Sequence, residues 1–135
     1  MVRFSEVPMT KLSAEKEAIK AVNTYIKGLN DKDPEKLANS LHFPHIRSMK
    51  DGTFFEWHSP EAYLKAFKDR LKSSGWDHTK LINTSTEKLS ASKVHVSIEF
   101  GRYTKSGALI DNYKSLYVVI NEQGYWGIKF GSGTG

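Results

Sequence analysis

Residues 93–130, KVHVSIEFGRYTKSGALIDNYKSLYVVINEQGYWGIKF, decide the fold of this chain. Val94, Val96, Ile98 and Phe100 alternate with His95, Ser97 and Glu99, the two-residue period of a strand with one buried face. Lys105-Ser106-Gly107 and Asn121 to Gly124 are turn formers that part this run from two more, over 108–121 and 124–131. With a further run over 76–89, the segment 92–104 belongs to four long strands that fill the second half. Leu116, Tyr117, Val118, Val119 and Ile120 are apolar on both faces, so that strand needs a cover on its outer side. A second subunit is the economical cover. In the last strand Trp126, Ile128 and Phe130 share a face.

The first half has a helical period. Ser13 is a candidate cap, followed by Glu15 and Glu17 where the helix dipole favours acids. Ala18, Ile19, Val22, Tyr25, Ile26 and Leu29 then recur every three or four residues. Asp33-Pro34 restarts a shorter helix with Leu37, Ala38 and Leu41 on its buried side, so 13–41 holds two helices. Asp51-Gly52 is a two-residue hairpin turn joining His45–Met49 to Thr53–Trp57. Ser59-Pro60-Glu61 opens a third helix over 60–73, with Tyr63, Leu64, Phe67 and Leu71 as its stripe and Gly75 as its stop. The order is therefore α-α-β-β-α-β-β-β-β. Three helices segregated from a mostly antiparallel six-stranded sheet predict an α+β domain, the helices covering one face of a curved sheet. Residues 1–12 read as an extended arm, and the Gly-rich 131–135 end as fraying.

A chain of 135 residues that is 39% hydrophobic makes one domain with one sizeable core. It has no cysteine, which removes disulfides, thiolate metal sites and cysteine nucleophiles. The start, MVRFSEVPMTKLSAEK, carries no unbroken apolar run, so a cytoplasmic protein is expected, with no membrane partner. The net charge of +5 is scattered: Lys16, Lys20, Lys65, Lys68 and Arg70 are interleaved with Glu15, Glu17, Glu61 and Asp69. A nucleic-acid partner wants a clustered basic stripe and is not expected. Five histidines occur without an HxH or HExxH spacing, and no glycine-rich phosphate loop or Gly-x-Ser-x-Gly elbow occurs. No metal and no cofactor is expected.

Trp126-Gly127-Ile128 after Gly124, and the Ser115–Ile120 strand SLYVVI before it, are local matches to a known group. With this order of elements, the chain from about 13 to 131 resembles the nuclear transport factor 2-like superfamily. Ketosteroid isomerase, scytalone dehydratase, limonene epoxide hydrolase and polyketide cyclases belong to it. Phe43-Pro44-His45, Lys93-Val94-His95, Phe100-Gly101-Arg102-Tyr103 and Ser115-Leu116-Tyr117 are similar to uncharacterised bacterial members. The resemblance implies a cone-shaped open barrel with a cavity beneath its helices, dimerising through the outer sheet face. It does not imply catalysis, since the superfamily holds enzymes and assembly modules alike.

In that architecture the inward positions of the strands and hairpin line the pocket. His45 and Arg47 on the hairpin, and His78, Arg102, Asp111 and Tyr113 on the long strands, are the polar candidates. His45, His78 or Asp111 would act as base, while Arg102 and Tyr113 would steady a developing oxyanion. Arg102 shares the parity of Val94 to Phe100, so it faces inward unless a bulge intervenes. Tyr25, Trp57, Trp76, Tyr117 and Trp126 would coat the cavity and hold a flat, partly apolar ligand. Structural roles stand beside these. Asp111 follows a turn and could be a solvated loop carboxylate, Arg102 could pair with Glu99, and His95 falls on the outer face. His42 would serve the end of the second helix, and His58 its own turn. Arg102 and Asp111 are separated by a turn with no second inward aspartate, unlike the epoxide-hydrolase arrangement. Two functions stay open. One is a cofactor-free isomerase, cyclase, dehydratase or hydrolase acting on a ligand with a carbonyl or anionic group. The other is a non-catalytic dimeric interaction domain with a filled pocket.

Overall fold

A computed structural model describes residues 3–135, with side chains from Ala14 onward. The first helix, α1, spans Arg3–Asp31 and buries Ala14, Ala18, Val22, Tyr25, Ile26 and Leu29 along one side. It passes through Ser13 instead of starting there, because Glu6, Met9, Lys11 and Leu12 are themselves good helix formers. Residues 3–12 are thus helical where an arm was expected, and residues 1–2 lie outside the description. Lys32 takes a left-handed φ of 51°, and the Asp33 carboxylate then accepts the Glu35 N–H at 3.0 Å to open α2, Pro34–Ser40. The hairpin follows as β1, Leu41–Ser48, and β2, Phe54–Trp57. Helix α3, Pro60–Leu71, is capped by the Ser59 hydroxyl, which accepts the Ala62 N–H at 3.1 Å. A 3-10 turn over Lys72–Ser74 leads into Gly75, whose φ of 78° suits glycine. The four long strands are β3, His78–Ser90; β4, Lys93–Tyr103; β5, Leu109–Glu122; and β6, Tyr125–Gly133.

The fold is the α+β architecture that the order of periods predicts: three helices on a curved, open, six-stranded sheet. Its strand order is β2-β1-β6-β5-β4-β3, with β1 parallel to β6 and every other pair antiparallel. Pro44 has no N–H to give the ladder, and the β1–β6 register slips between Leu41 and Ile46 around it. The glycine-rich end does not fray at Gly131: β6 stays paired to Gly133, Gly131 opposite both Arg47 and Tyr117. Glycine is required there because a side-chain carbon on Gly131 would come within 2.6 Å of Arg47 Nε.

Val94, Val96, Ile98 and Phe100 of β4, Tyr117 and Val119 of β5, and Ile128 of β6 pack against the α1 stripe. Each fully buried side chain of this size is worth about 1.5–3 kcal/mol. The opposite face of β5 carries Leu116, Val118 and Ile120, as its doubly apolar sequence requires. Val118 and Ile46 both pair with Phe130, so an apolar strip crosses β5, β6 and β1 on the outer surface. Phe54 adds to it, its ring 6.0 Å from that of Phe130. No helix among the described residues is long and apolar enough to cross a membrane.

Helix α3 depends on its cap. Ser59→Ala leaves the Ala62 N–H without its acceptor and should lower stability by about 1 kcal/mol in urea denaturation, with Ser59→Asp restoring it. Equal midpoints for all three proteins would show that the hydroxyl does not cap the helix.

Candidate functional site

Arg47 organises the interior. Its strand, β1, alternates so that His45 and Arg47 face the helices, and Arg47 is only 7% exposed. Its Nη2 donates to the Tyr25 hydroxyl at 2.6 Å, and its Nε donates to His45 Nε2 at 3.3 Å. The rings of Tyr117, Tyr25 and Tyr63 surround the guanidinium at 5.2–5.7 Å. Burial works against this cation, but the oxygens of Tyr25, Tyr63 and Tyr117 outweigh it, and Arg47 stays protonated. No carboxylate shares in this. Two of the five N–H donors an arginine carries are taken by Tyr25 and His45, which leaves donors for a guest.

His45 is locked by the same contacts. Its Nδ1 donates to the Ile128 carbonyl at 3.1 Å, so Nε2 is the lone-pair nitrogen that receives Arg47. Complete burial, then the Arg47 charge, holds the imidazole down to about 3. Tyr25 also hydrogen-bonds Tyr63 across 2.5 Å. Tyr25 accepts from Arg47, and either phenol can supply the proton between Tyr25 and Tyr63. Burial raises the Tyr25 phenol far above its ordinary range, and it pushes Tyr117 up to about 12. These phenols keep their protons. The hydrogen-bonded row Arg47, Tyr25, Tyr63 ends at a cleft.

That cleft lies between α3 and the β1–β2 hairpin, has a volume of about 290 Å³, and is lined by Arg47, Met49, Phe55, Trp57, Tyr63, Ala66, Phe67 and Arg70. The walls are apolar and aromatic, and the polar groups on them are cationic or donors. It widens to the surface past Met49, Phe55 and Arg70. The centre beneath the helices is otherwise filled: Tyr25, Tyr117, Phe67 and Phe100 leave a void of only about 10 Å³, which Arg47 and Arg102 also line. A third hollow of about 590 Å³, between α1 and the β5–β6 turn, is an open groove with no buried charge facing it. No cluster of acids and histidines able to hold a metal occurs among the described residues.

The family described as NTF2-like protein (DUF6841) matches residues 16–130. The chain belongs to that family. This NTF2-like protein is also similar to solved structures, among them an uncharacterised protein with a cystatin-like fold from Caulobacter vibrioides. That likeness has 13% identity and a TM-score of 0.67 over 90% of this chain and 89% of the other. The hexachlorocyclohexane dehydrochlorinase LinA-type3 from Novosphingobium barchaimii LL02 aligns at 13% identity and a TM-score of 0.71, over 93% and 88% of the two chains. An NTF2-like protein of unknown function from Shewanella oneidensis MR-1 aligns at 11% identity and 0.69, over 90% and 98%. At such identities these likenesses are of fold. Among curated proteins nothing matches.

The sequence-derived candidates of this NTF2-like chain divide by position. Arg47 and Trp57 line the cleft; Tyr25, Tyr117 and Arg102 line the void behind it. Arg102 faces inward because the β4–β5 register runs unbroken as far as Arg102 and slips only after it. Tyr113 lies against the Arg102 guanidinium, which sits 4.5 Å from its ring. His78 does not reach either cavity: at the very start of β3 it stacks on Tyr103 and bonds Asp77 at 2.9 Å. Asp111 pairs with Arg102 in the ladder, but its carboxylate is exposed and accepts the Asn112 N–H. Trp76 backs the cavity wall from outside, edge-on to Phe67 and donating to Thr79. Trp126 faces the helices at the far end of the sheet, in the α1 groove. His45 is brought to the site, yet both its nitrogens are engaged, which removes it as a base. His42 is not at the end of α2, which stops at Ser40; it is buried in β1, its Nε2 3.1 Å from the Ile120 carbonyl. Tyr63, Phe67 and Arg70 were missed as site residues. Tyr63 and Phe67 read only as a core stripe, and the one available signal was a polar tip on an otherwise apolar helix face.

His45 supplies a pH test. Unfolded, its imidazole takes a proton near pH 6.5; folded, it refuses one down to about 3, so its contribution to stability is lost as pH falls through that interval. The destabilisation caused by His45→Asn should therefore shrink by on the order of 1–2 kcal/mol between pH 7 and pH 5. A urea-denaturation gap between wild type and variant that stays constant over this range would show that His45 titrates normally in the fold.

Proposed function

We propose that this protein binds a small, flat, partly apolar molecule bearing a carboxylate or carbonyl oxygen, in the cleft between α3 and the β1–β2 hairpin. The observation that carries the reading is the Arg47 guanidinium, lining an aromatic cleft of about 290 Å³ with no carboxylate among its lining residues. That volume is at the lower bound of small-molecule sites, and the wall composition is typical of them. Trp57 and Phe67 would sandwich the ring of the guest. Arg47 and the Tyr63 hydroxyl would take its oxygen atoms, and Arg70 would draw the anion in from the rim.

Turnover by an isomerase, cyclase, dehydratase or hydrolase route is the weaker part of this reading. Such steps use a group that accepts a proton from the substrate or from water. Around the cleft the described side chains are donors, and His45 is committed to Ile128 and Arg47. These donors could still stabilise a developing oxyanion, so catalysis would require a substrate that brings its own base.

The filled centre favours a second role beside the first: the sheet's outer face as a contact surface for another copy of this chain. The strip of Ile46, Phe130, Val118 and Leu116 is flanked by Glu99 and Lys114, opposite charges that pair in register on the same face. A face carrying both charges beside an apolar strip can be complementary to itself, as an isologous dimer needs. Light scattering after gel filtration should give a dimer mass for the wild type and a monomer mass for Val118→Glu with an unchanged circular dichroism spectrum. A wild-type monomer at tens of micromolar would remove the dimer.

Binding is tested with benzoate, cinnamate and neutral benzyl alcohol by calorimetry. The two carboxylates should bind, the alcohol should bind at least tenfold more weakly, and Tyr63→Phe should weaken benzoate by roughly three- to tenfold, the worth of one hydrogen bond. Arg47→Gln should abolish the preference for the acids. Equal binding of acid and alcohol, or none of either, would overturn the assignment.

A further inference from the structure

The described ion pairs of this protein use only lysines and histidines as cations; no arginine takes part in one. For Arg102 this is unusual, because it is only 5% exposed and its buried Nε has no hydrogen-bond partner among the described residues. Rings surround it: Tyr113 at 4.5 Å, Phe100 at 5.4 Å and Phe67 at 5.7 Å from the guanidinium carbon. An arginine cannot shed its proton to escape burial, so its charge must be met by something else. The rings meet part of it by their π faces, but they leave the in-plane N–H donors unused.

Arg102 lines the void of about 10 Å³ behind Phe67, and so does Arg47. Tyr25, Thr79, Ser115 and Tyr117 add four hydroxyl-bearing side chains to its lining, and Gly135 lies on it beside Arg102. The space is about that of a single water-sized sphere. Two arginines and four hydroxyl-bearing side chains around one such sphere, with no Asp or Glu on its wall, make a cage for one negative atom. A water there would satisfy hydrogen bonds and leave both charges uncompensated.

We infer that this void is a binding site for a monatomic anion, a halide, held between Arg102 and Arg47. Size sets the selectivity, since sulfate, phosphate and carboxylates have several heavy atoms and the space takes one. The site shares only Arg47 and Phe67 with the lining of the cleft and does not depend on the ligand proposed there. Its function is structural: the anion offsets like charges that the fold gathers around Phe67, where Arg70 adds a further unfavourable influence on Arg102.

The test uses the full chain exchanged into sodium gluconate and titrated with sodium chloride or bromide at constant ionic strength. Halide should raise the melting temperature by about 3–6 °C, saturating between 1 and 100 mM, with sulfate giving no such rise. Crystals grown in bromide should show an anomalous peak between the guanidiniums of Arg102 and Arg47. Arg102→Gln should lose the halide dependence while still binding benzoate. If that variant does not fold, the bromide peak in the wild type decides. A melting temperature indifferent to which anion is present, a halide effect that survives in Arg102→Gln, or water alone in the void would each overturn the inference.

Discussion

A positive charge enclosed without a carboxylate is the constraint on which this structure turns. Moving a guanidinium from water into a protein interior costs several kcal/mol even after relaxation, and no carboxylate offsets it here. What offsets it is a shell of neutral groups drawn from every layer of the fold. Tyr25 comes from α1, Tyr63 from α3, Tyr117 from β5, His45 from the same strand as Arg47 itself, and Gly131 of β6 leaves room for the side chain. No two adjacent segments could build this shell. Helices and sheet are tied together through one side chain, and a shift of any of them would expose or crowd the charge.

The sheet gives this arrangement its geometry. In β4 the alternation that buries Val94, Val96, Ile98 and Phe100 continues without a slip to Arg102, so an apolar strand delivers a cation to the same face at its end. In β1 the irregularity around Pro44 separates Leu41 from Ile46, and beyond it His45 and Arg47 share the inner face. The two arginines thus reach the interior from opposite sides, with β6 and β5 between their strands. Tyr117, on the middle of β5, contributes its ring to Arg47 and lines the void the two arginines share.

Element order, the hairpin and the helix starts were legible in the sequence because each is decided locally. Asp51-Gly52, Asp33-Pro34 and Ser59-Pro60 act within a few residues of themselves, and a two-residue period needs no partner to be recognised. The site was less legible because its groups act across long separations. Tyr63 looks like any apolar helix position until its hydroxyl meets Tyr25, 38 residues earlier. His45 looks like a base until Arg47 and the Ile128 carbonyl occupy its nitrogens. Parity placed Arg102 correctly but could not separate Asp111 and Trp126 from it, since these fail by their position along the sheet, whereas His78, paired with Tyr103, lies on the face opposite to Thr79 and Arg102. The glycine-rich end looked like loose chain because the reason for Gly131, the close approach of Arg47, belongs to a strand early in the sequence.

The polarity of the cleft limits its chemistry more strongly than its shape does. Arg47 and Arg70 bring only donors, and Tyr63, bonded to Tyr25, adds a hydroxyl able to donate. A guest rich in acceptors is matched by such a wall, whereas a guest that must lose a proton finds no partner on it. The same row gains strength as negative charge grows on the guest, because each bond in it shortens toward the charge-assisted limit. A substrate able to cleave or rearrange by its own internal base would therefore be stabilised most at the moment its oxygen becomes anionic. Binding and any catalysis would then draw on one property, a fixed cation that no carboxylate on the cleft wall meets.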